Sequence, residues 1–122
     1  MRYCLVVDDS PLVRKVAGFL LEDLEFAVAE ASSTPEALEH CRKRMPDVIM
    51  LDADLPENAA IQFITALRAE PAGTKPVIVL CVVERDMRQI TEAGAAGANT
   101  YLLKPFDART VRDKFVKIGL AA

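Results

Sequence analysis

Apolar positions along the chain fall into two alternating rhythms. Short, nearly unbroken apolar runs at Tyr3–Val7, Phe26–Ala31, Asp47–Ala53, Val77–Val83 and Thr100–Leu103 read as strands. The third and fourth have the continuous character of strands buried on both faces of a parallel sheet. Helical spacing fills the intervals. Ser10-Pro11 opens the first helix, Ser as cap and Pro at the first helical position, where the missing N–H needs no partner. Leu12, Val16, Phe19, Leu20 and Leu24 are expected to form its buried stripe. Ser33-Thr34-Pro35-Glu36 starts the second, which carries Ala37, Leu38 and Cys41 inward and stops at Pro46. Ile61, Phe63, Ile64 and Leu67 mark the third, closed by Pro71-Ala72-Gly73, and Asp86–Ala96 and Asp107–Leu120 supply the last two. Strand and helix thus alternate five times. Connections this short predict an α/β fold in which right-handed crossovers build a five-stranded parallel sheet with helices on both faces.

The polar residues that matter stand where the strands stop. Asp8 and Asp9 follow Leu5-Val6-Val7, Asp52 follows Val48-Ile49-Met50-Leu51, and Lys104-Pro105 follows Tyr101-Leu102-Leu103. In a parallel sheet these ends share one edge, so three carboxylates and an ammonium would crowd together. Each has an ordinary reading alone: Asp9 as a cap, Asp52 as a turn former before Pro56, Lys104 as a solvated strand end. Their joint placement points instead to a divalent-cation site beside a phosphorylatable carboxylate. The metal offsets the acids and the lysine meets phosphoryl oxygens.

Whole-chain numbers narrow the setting. The 122 residues make one domain, 1–122, with no room for a separate output domain. A formal charge of −3 argues against nucleic-acid binding, which shows a clustered basic footprint; the one basic run, Arg42-Lys43-Arg44, suits a helix carboxyl end. Cys4, Cys41 and Cys81 are odd in number and widely spaced, favouring neither a disulfide framework nor a CxxC metal site and suiting a reducing cytoplasm. No apolar run approaches the roughly 18 residues of a membrane span. His40, the single histidine, lies on a polar helix face without a partner at ligand spacing.

The stretches Val6-Val7-Asp8-Asp9-Ser10, Ile49-Met50-Leu51-Asp52-Ala53-Asp54-Leu55-Pro56 and Gly97-Ala98-Asn99-Thr100-Tyr101-Leu102-Leu103-Lys104-Pro105-Phe106 resemble, end to end, the receiver domain of bacterial two-component response regulators, CheY-like and stand-alone. The resemblance implies a flavodoxin-like (βα)5 fold of strand order 2-1-3-4-5. It implies Asp52 as phosphoacceptor from a sensor histidine kinase or histidine phosphotransfer protein, and signalling to a downstream protein through the face of the fourth helix, fifth strand and fifth helix. Mg2+ (or Mn2+) would be held by Asp9 and Asp52 directly, by Asp8 through water, and by the backbone carbonyl of Asp54. Lys104 would contact the phosphoryl group, before a cis bond to Pro105.

Three features depart from the family. The Thr or Ser usual near the end of the fourth strand is missing: family spacing from Asp52 or Lys104 lands on Val82, and counting from Pro76 lands on Cys81, while the aromatic partner Tyr101 remains. A thiol is a weak substitute for the hydroxyl. Asn58-Ala59-Ala60 replaces Met-Asp-Gly after Asp52, so the loop has to avoid positive φ at Ala60. Asp54 adds a carboxylate two residues past the acceptor. Apart from these three, Gly94 beside an alanine-rich end is expected to make the fourth helix mobile.

Other functions compete. A degenerate receiver would act as a phosphorylation-independent adaptor, supported by the missing hydroxyl. Asp52-Ala53-Asp54 also matches the Asp-x-Asp core of haloacid-dehalogenase-like phosphatases, but there that strand comes first and the paired acids last. A nucleotide-binding flavodoxin-like module is disfavoured, since acids rather than phosphate-cradling glycines follow the first strand. The signalling reading is of a phosphoacceptor protein, not an enzyme in the ordinary sense.

Overall fold

The computed structural model describes all 122 residues, Met1–Ala122. In chain order the elements are β1 (Tyr3–Val7), α1 (Pro11–Asp23), β2 (Ala27–Ala31), α2 (Thr34–Lys43), β3 (Val48–Asp52), a 3-10 turn (Pro56–Asn58), α3 (Ala59–Arg68), β4 (Val77–Val82), α4 (Met87–Ala96), β5 (Thr100–Leu103) and α5 (Ala108–Lys117). The sheet has the order β2-β1-β3-β4-β5, with every pair parallel. This is the flavodoxin-like doubly wound arrangement, whose ligands sit outside the carboxyl ends of the strands where the order reverses.

Local chemistry sets the helix starts. Ser10 Oγ accepts from the Val13 N–H at 3.2 Å, and Ser33 Oγ from the Glu36 N–H at 3.4 Å. Asp107 and Thr110 exchange the reciprocal bonds of a capping box at α5. Asp86 and Asp107, taken from the sequence as first helical residues, are caps outside α4 and α5, because their carboxylates take the free N–H groups of the first turn.

Successive strand residues face opposite sides of the sheet. Leu5, Val7, Ile49, Leu51, Leu80 and Val82 pack on one face with Phe63, Ile64 and Leu67 of α3, Ala37 and Cys41 of α2 and Ala93 of α4. Cys4, Val6, Val48, Met50, Val79 and Cys81 pack on the other with Ala17 and Leu21 of α1 and Val111 and Phe115 of α5.

One expectation changes here. The inward face of α1 is Ala17, Gly18 and Leu21, not the stripe read from the sequence: Leu12 is 73% and Phe19 69% exposed, Val16 is also exposed, and Leu20 and Leu24 are only half-buried. Apolar residues surround much of this helix, so periodicity alone does not choose a face. Close approach to the sheet chooses the small residues. The loop after β3 avoids positive φ at Ala60, as expected. Ala60 is inside α3, and the left-handed conformations fall on Glu57 (φ 60°) and Asn58 (φ 59°). Asn tolerates that region better than most residues.

The far end of α4 is tied down by Arg68. Its guanidinium donates to the carbonyls of Gly73, Pro76 and Gly97 and to Asn99 Oδ1. Gly97 has φ 129°, and a Cβ there would lie 2.8 Å from the Arg68 side chain, so both conformation and space call for glycine.

Candidate functional site

The site is built where the strand ladder ends: Asp52 is the last residue of β3, and Asp8 and Lys104 directly follow β1 and β5. Register pairs Val7 with Leu51 and Asp52 with Cys81, while Val82 pairs with Leu103. Beyond these, the Asp8 N–H donates to Ala31 O, Ala53 N–H to Cys81 O and Lys104 N–H to Val82 O. Backbone bonds therefore hold Asp8 and Asp52 at one level of the sheet edge, and Lys104 two residues further along the fifth strand, from where its long side chain reaches back to them.

Their side chains converge. Lys104 Nζ donates to Asp8 Oδ2 at 2.7 Å and to Asp52 Oδ1 at 3.2 Å. Asp8 Oδ1 accepts the Ser10 N–H, and Asp52 Oδ1 the Asp54 N–H. No protein group donates to Asp52 Oδ2, which leaves one carboxylate oxygen free to react. Asp8 and Asp52 are 3% and 4% exposed, whereas Asp9 is open to solvent. Carboxylate oxygens of all three lie within 4.8 Å of one another.

Burial pushes the Asp52 carboxyl above its ordinary range, opposed by the Asp54 N–H and by Lys104 and reinforced by Asp8. The ammonium is shared and sits closer to Asp8, so it compensates Asp52 incompletely. Because the folded value is the higher one, folded protein keeps a proton on Asp52 where the unfolded chain has lost it. This group's contribution to stability therefore falls as pH rises through that window. Burial lowers the Lys104 value, but the bond to Asp8 and the charge of Asp52 outweigh it, leaving the ammonium above its usual range.

Three carboxylates against one ammonium leave the edge with excess negative charge. The clustered donors are oxygens with an open side, a set that suits Mg2+ or Mn2+, which keep waters alongside a few carboxylates. The remaining sequence candidates divide between the faces of the sheet. Cys81 is buried with the α1–α5 layer, its Sγ directed to Val79 O, and burial pushes its thiol up to about 12. Val82 is buried in the opposite layer, against which Tyr101 also packs. Tyr101 Oη accepts from Arg85 Nε at 3.1 Å. The Lys104–Pro105 bond is cis. Asp54 is exposed, and Gln89 Nε2 donates to its Oδ1 and to Ala53 O, both at 3.4 Å.

Two neighbours escaped the sequence reading. Gln89 carries no signal that would single it out. Arg14, which bonds the Asp8 carbonyl, does carry one: a cation near the start of a helix opposes the dipole, so it needs a specific partner.

Residues 4–116 match the response regulator receiver domain. The chain is 33% identical over 115 residues to the chemotaxis protein CheY of Pseudomonas aeruginosa, covering 93% of each. It is equally similar to the chemotaxis protein CheY-3 of Vibrio cholerae, over 93% of this chain and 88% of that one. The solved structure of the chemotaxis response regulator CheY4 of V. cholerae superposes with a TM-score of 0.90 at 29% identity, over 97% of this chain and 98% of the other. With similarity running from the first strand to the last helix, the chain belongs to the response regulator receiver domain family and is a CheY-like receiver.

Proposed function

We propose that this chain is a signalling receiver that takes a phosphoryl group on Asp52 from the phosphohistidine of a sensor histidine kinase or a histidine phosphotransfer protein. The observation that carries the reading is Asp52 itself: a nearly buried carboxylate with one oxygen unengaged, 3.2 Å from an ammonium and beside two further acids. Asp52 Oδ2 attacks phosphorus, the P–N bond breaks, and its electron pair returns to the imidazole, leaving an acyl phosphate. Asp9 and Asp52 would hold Mg2+, with Asp8 acting through water and the Asp54 carbonyl as a further oxygen. A bound ion would supply positive charge against the transferring group, and Lys104 steadies that group's oxygens. The signal then passes to a downstream protein in the cytoplasm through the face of α4, β5 and α5, without turnover of an external substrate.

A second reading, the phosphorylation-independent adaptor, is favoured by one observation: neither Cys81 nor Val82 offers a hydroxyl to the phosphoryl group. Of the two, Val82 shares a face with Tyr101 and is the better candidate for the switch position. Intact-mass measurement after treatment with acetyl phosphate separates the readings. One Mg2+-dependent phosphoryl adduct, absent from Asp52→Asn, is expected. An adduct that survives the substitution, or none with any donor including a cognate kinase, would reject the phosphoacceptor assignment. Steady turnover of a phosphomonoester would point to phosphatase chemistry.

A further inference from the structure

Arg14 approaches the acidic edge through its backbone rather than through its carboxylates. The side chain is largely buried, and Nη1 donates to the Asp8 carbonyl at 2.7 Å while Nε donates to Glu30 Oε1 at 3.0 Å. Glu30, on β2, also faces Lys15 Nζ at 3.6 Å, so Glu30 is held from two sides and fixes the guanidinium plane. A planar fork holds its two acceptors in a fixed relative geometry, which the rotatable donors of an ammonium do not impose.

The bonded oxygen belongs to the Asp8–Asp9 peptide. That unit is rigid and planar, so the position of its oxygen sets the direction in which the chain leaves toward Asp9. Asp8 has other anchors, its N–H on Ala31 O and its Oδ1 on the Ser10 N–H. Asp9 has none: it is exposed, and its carboxylate makes no hydrogen bond, yet it lies within 4.8 Å of the other two acids.

We propose that Arg14, aimed by Glu30, is a positioning residue for the cation site, holding the Asp8–Asp9 peptide so that the Asp9 carboxylate stands ready beside Asp52. This rests on the reading of Asp9 and Asp52 as the Mg2+ ligands. Partners that orient ligands without touching the metal contribute substantially to affinity in other sites.

The sign of the effect is diagnostic. Charge alone predicts that removing a guanidinium near the acids tightens Mg2+ binding, because one repelling cation is gone. Positioning predicts the reverse. Titrate Mg2+ by calorimetry into the wild type, Asp9→Asn, Arg14→Met and Arg14→Lys, and record the metal-free melting temperature and Ser10 amide exchange of each. Arg14→Met is expected to bind Mg2+ about tenfold more weakly, with faster Ser10 exchange in the metal-free state, and Arg14→Lys, which retains the charge and one donor, to fall between it and the wild type. Unchanged or tighter binding by Arg14→Met overturns the proposal, as does a lysine variant that binds no better than Arg14→Met. A lowered melting temperature with intact Mg2+ affinity also overturns it, in favour of a merely structural role. Equal binding by the wild type and Asp9→Asn would be a different failure, that of the metal-site reading itself.

Discussion

Replacing Lys104 with methionine keeps an unbranched stem of nearly the same length and removes the charge that Asp8 and Asp52 share. Both acids are almost fully buried, their side chains 4% and 5% exposed, so solvent cannot take over the role of the ammonium. Stripping one partner from a buried ion pair costs roughly 3 to 5 kcal/mol. The low end applies here, about 3 kcal/mol, because each acid keeps a backbone N–H and Asp52 can escape by taking a proton. With an unfolding entropy of about 2.1 cal/mol/K per residue over 122 residues, that is a fall of about 12 °C in melting temperature.

The pH dependence follows from the same argument. Loss of the ammonium raises the folded-state value of Asp52 further, so the variant regains stability relative to the wild type as pH falls and the carboxyl is protonated. Millimolar Mg2+ should narrow the gap too, by supplying the missing positive charge. Scanning calorimetry on both proteins in chelator, at neutral and mildly acidic pH, and again with Mg2+, measures all three effects. A loss that is the same at both pH values and indifferent to Mg2+ would show that Lys104 matters for packing, and the electrostatic account would be wrong.

The orientation of α1 is tested by comparing Leu21→Ala, expected to cost about 3 kcal/mol, with Leu12→Ser and Phe19→Ser, each expected within about 0.5 kcal/mol of the wild type in urea unfolding. A Phe19→Ser loss as large as that of Leu21→Ala would place the opposite face of the helix inward. For the switch, Val82→Thr should enlarge the shift of the Tyr101 ring resonances on loading with beryllofluoride, whereas Cys81→Thr, on the other face of the sheet, should leave it near the wild-type size; the reverse pattern would assign the position to Cys81.

Local signals carried far in this chain. Five apolar runs alternating with five helical stretches predicted the α/β layers, because side-chain periodicity and caps such as Ser10 and Ser33 act within a few residues of themselves. The candidate acids and lysine were legible for the same reason, since each follows its own strand and a parallel sheet brings such ends together. Geometry that depends on distant partners was not legible. Whether α1 turns Leu21 or Phe19 inward is decided by how closely it approaches the sheet, in a helix whose apolar residues leave both options open. Placing Lys104 Nζ between Asp8 and Asp52 requires β1, β3 and β5 in a set order, and bringing Arg14 onto the Asp8 carbonyl requires Glu30 from β2. Cys81 and Val82, adjacent in the chain, could not be told apart by counting. Strand alternation in the packed sheet sends one toward α1 and α5 and the other toward Tyr101.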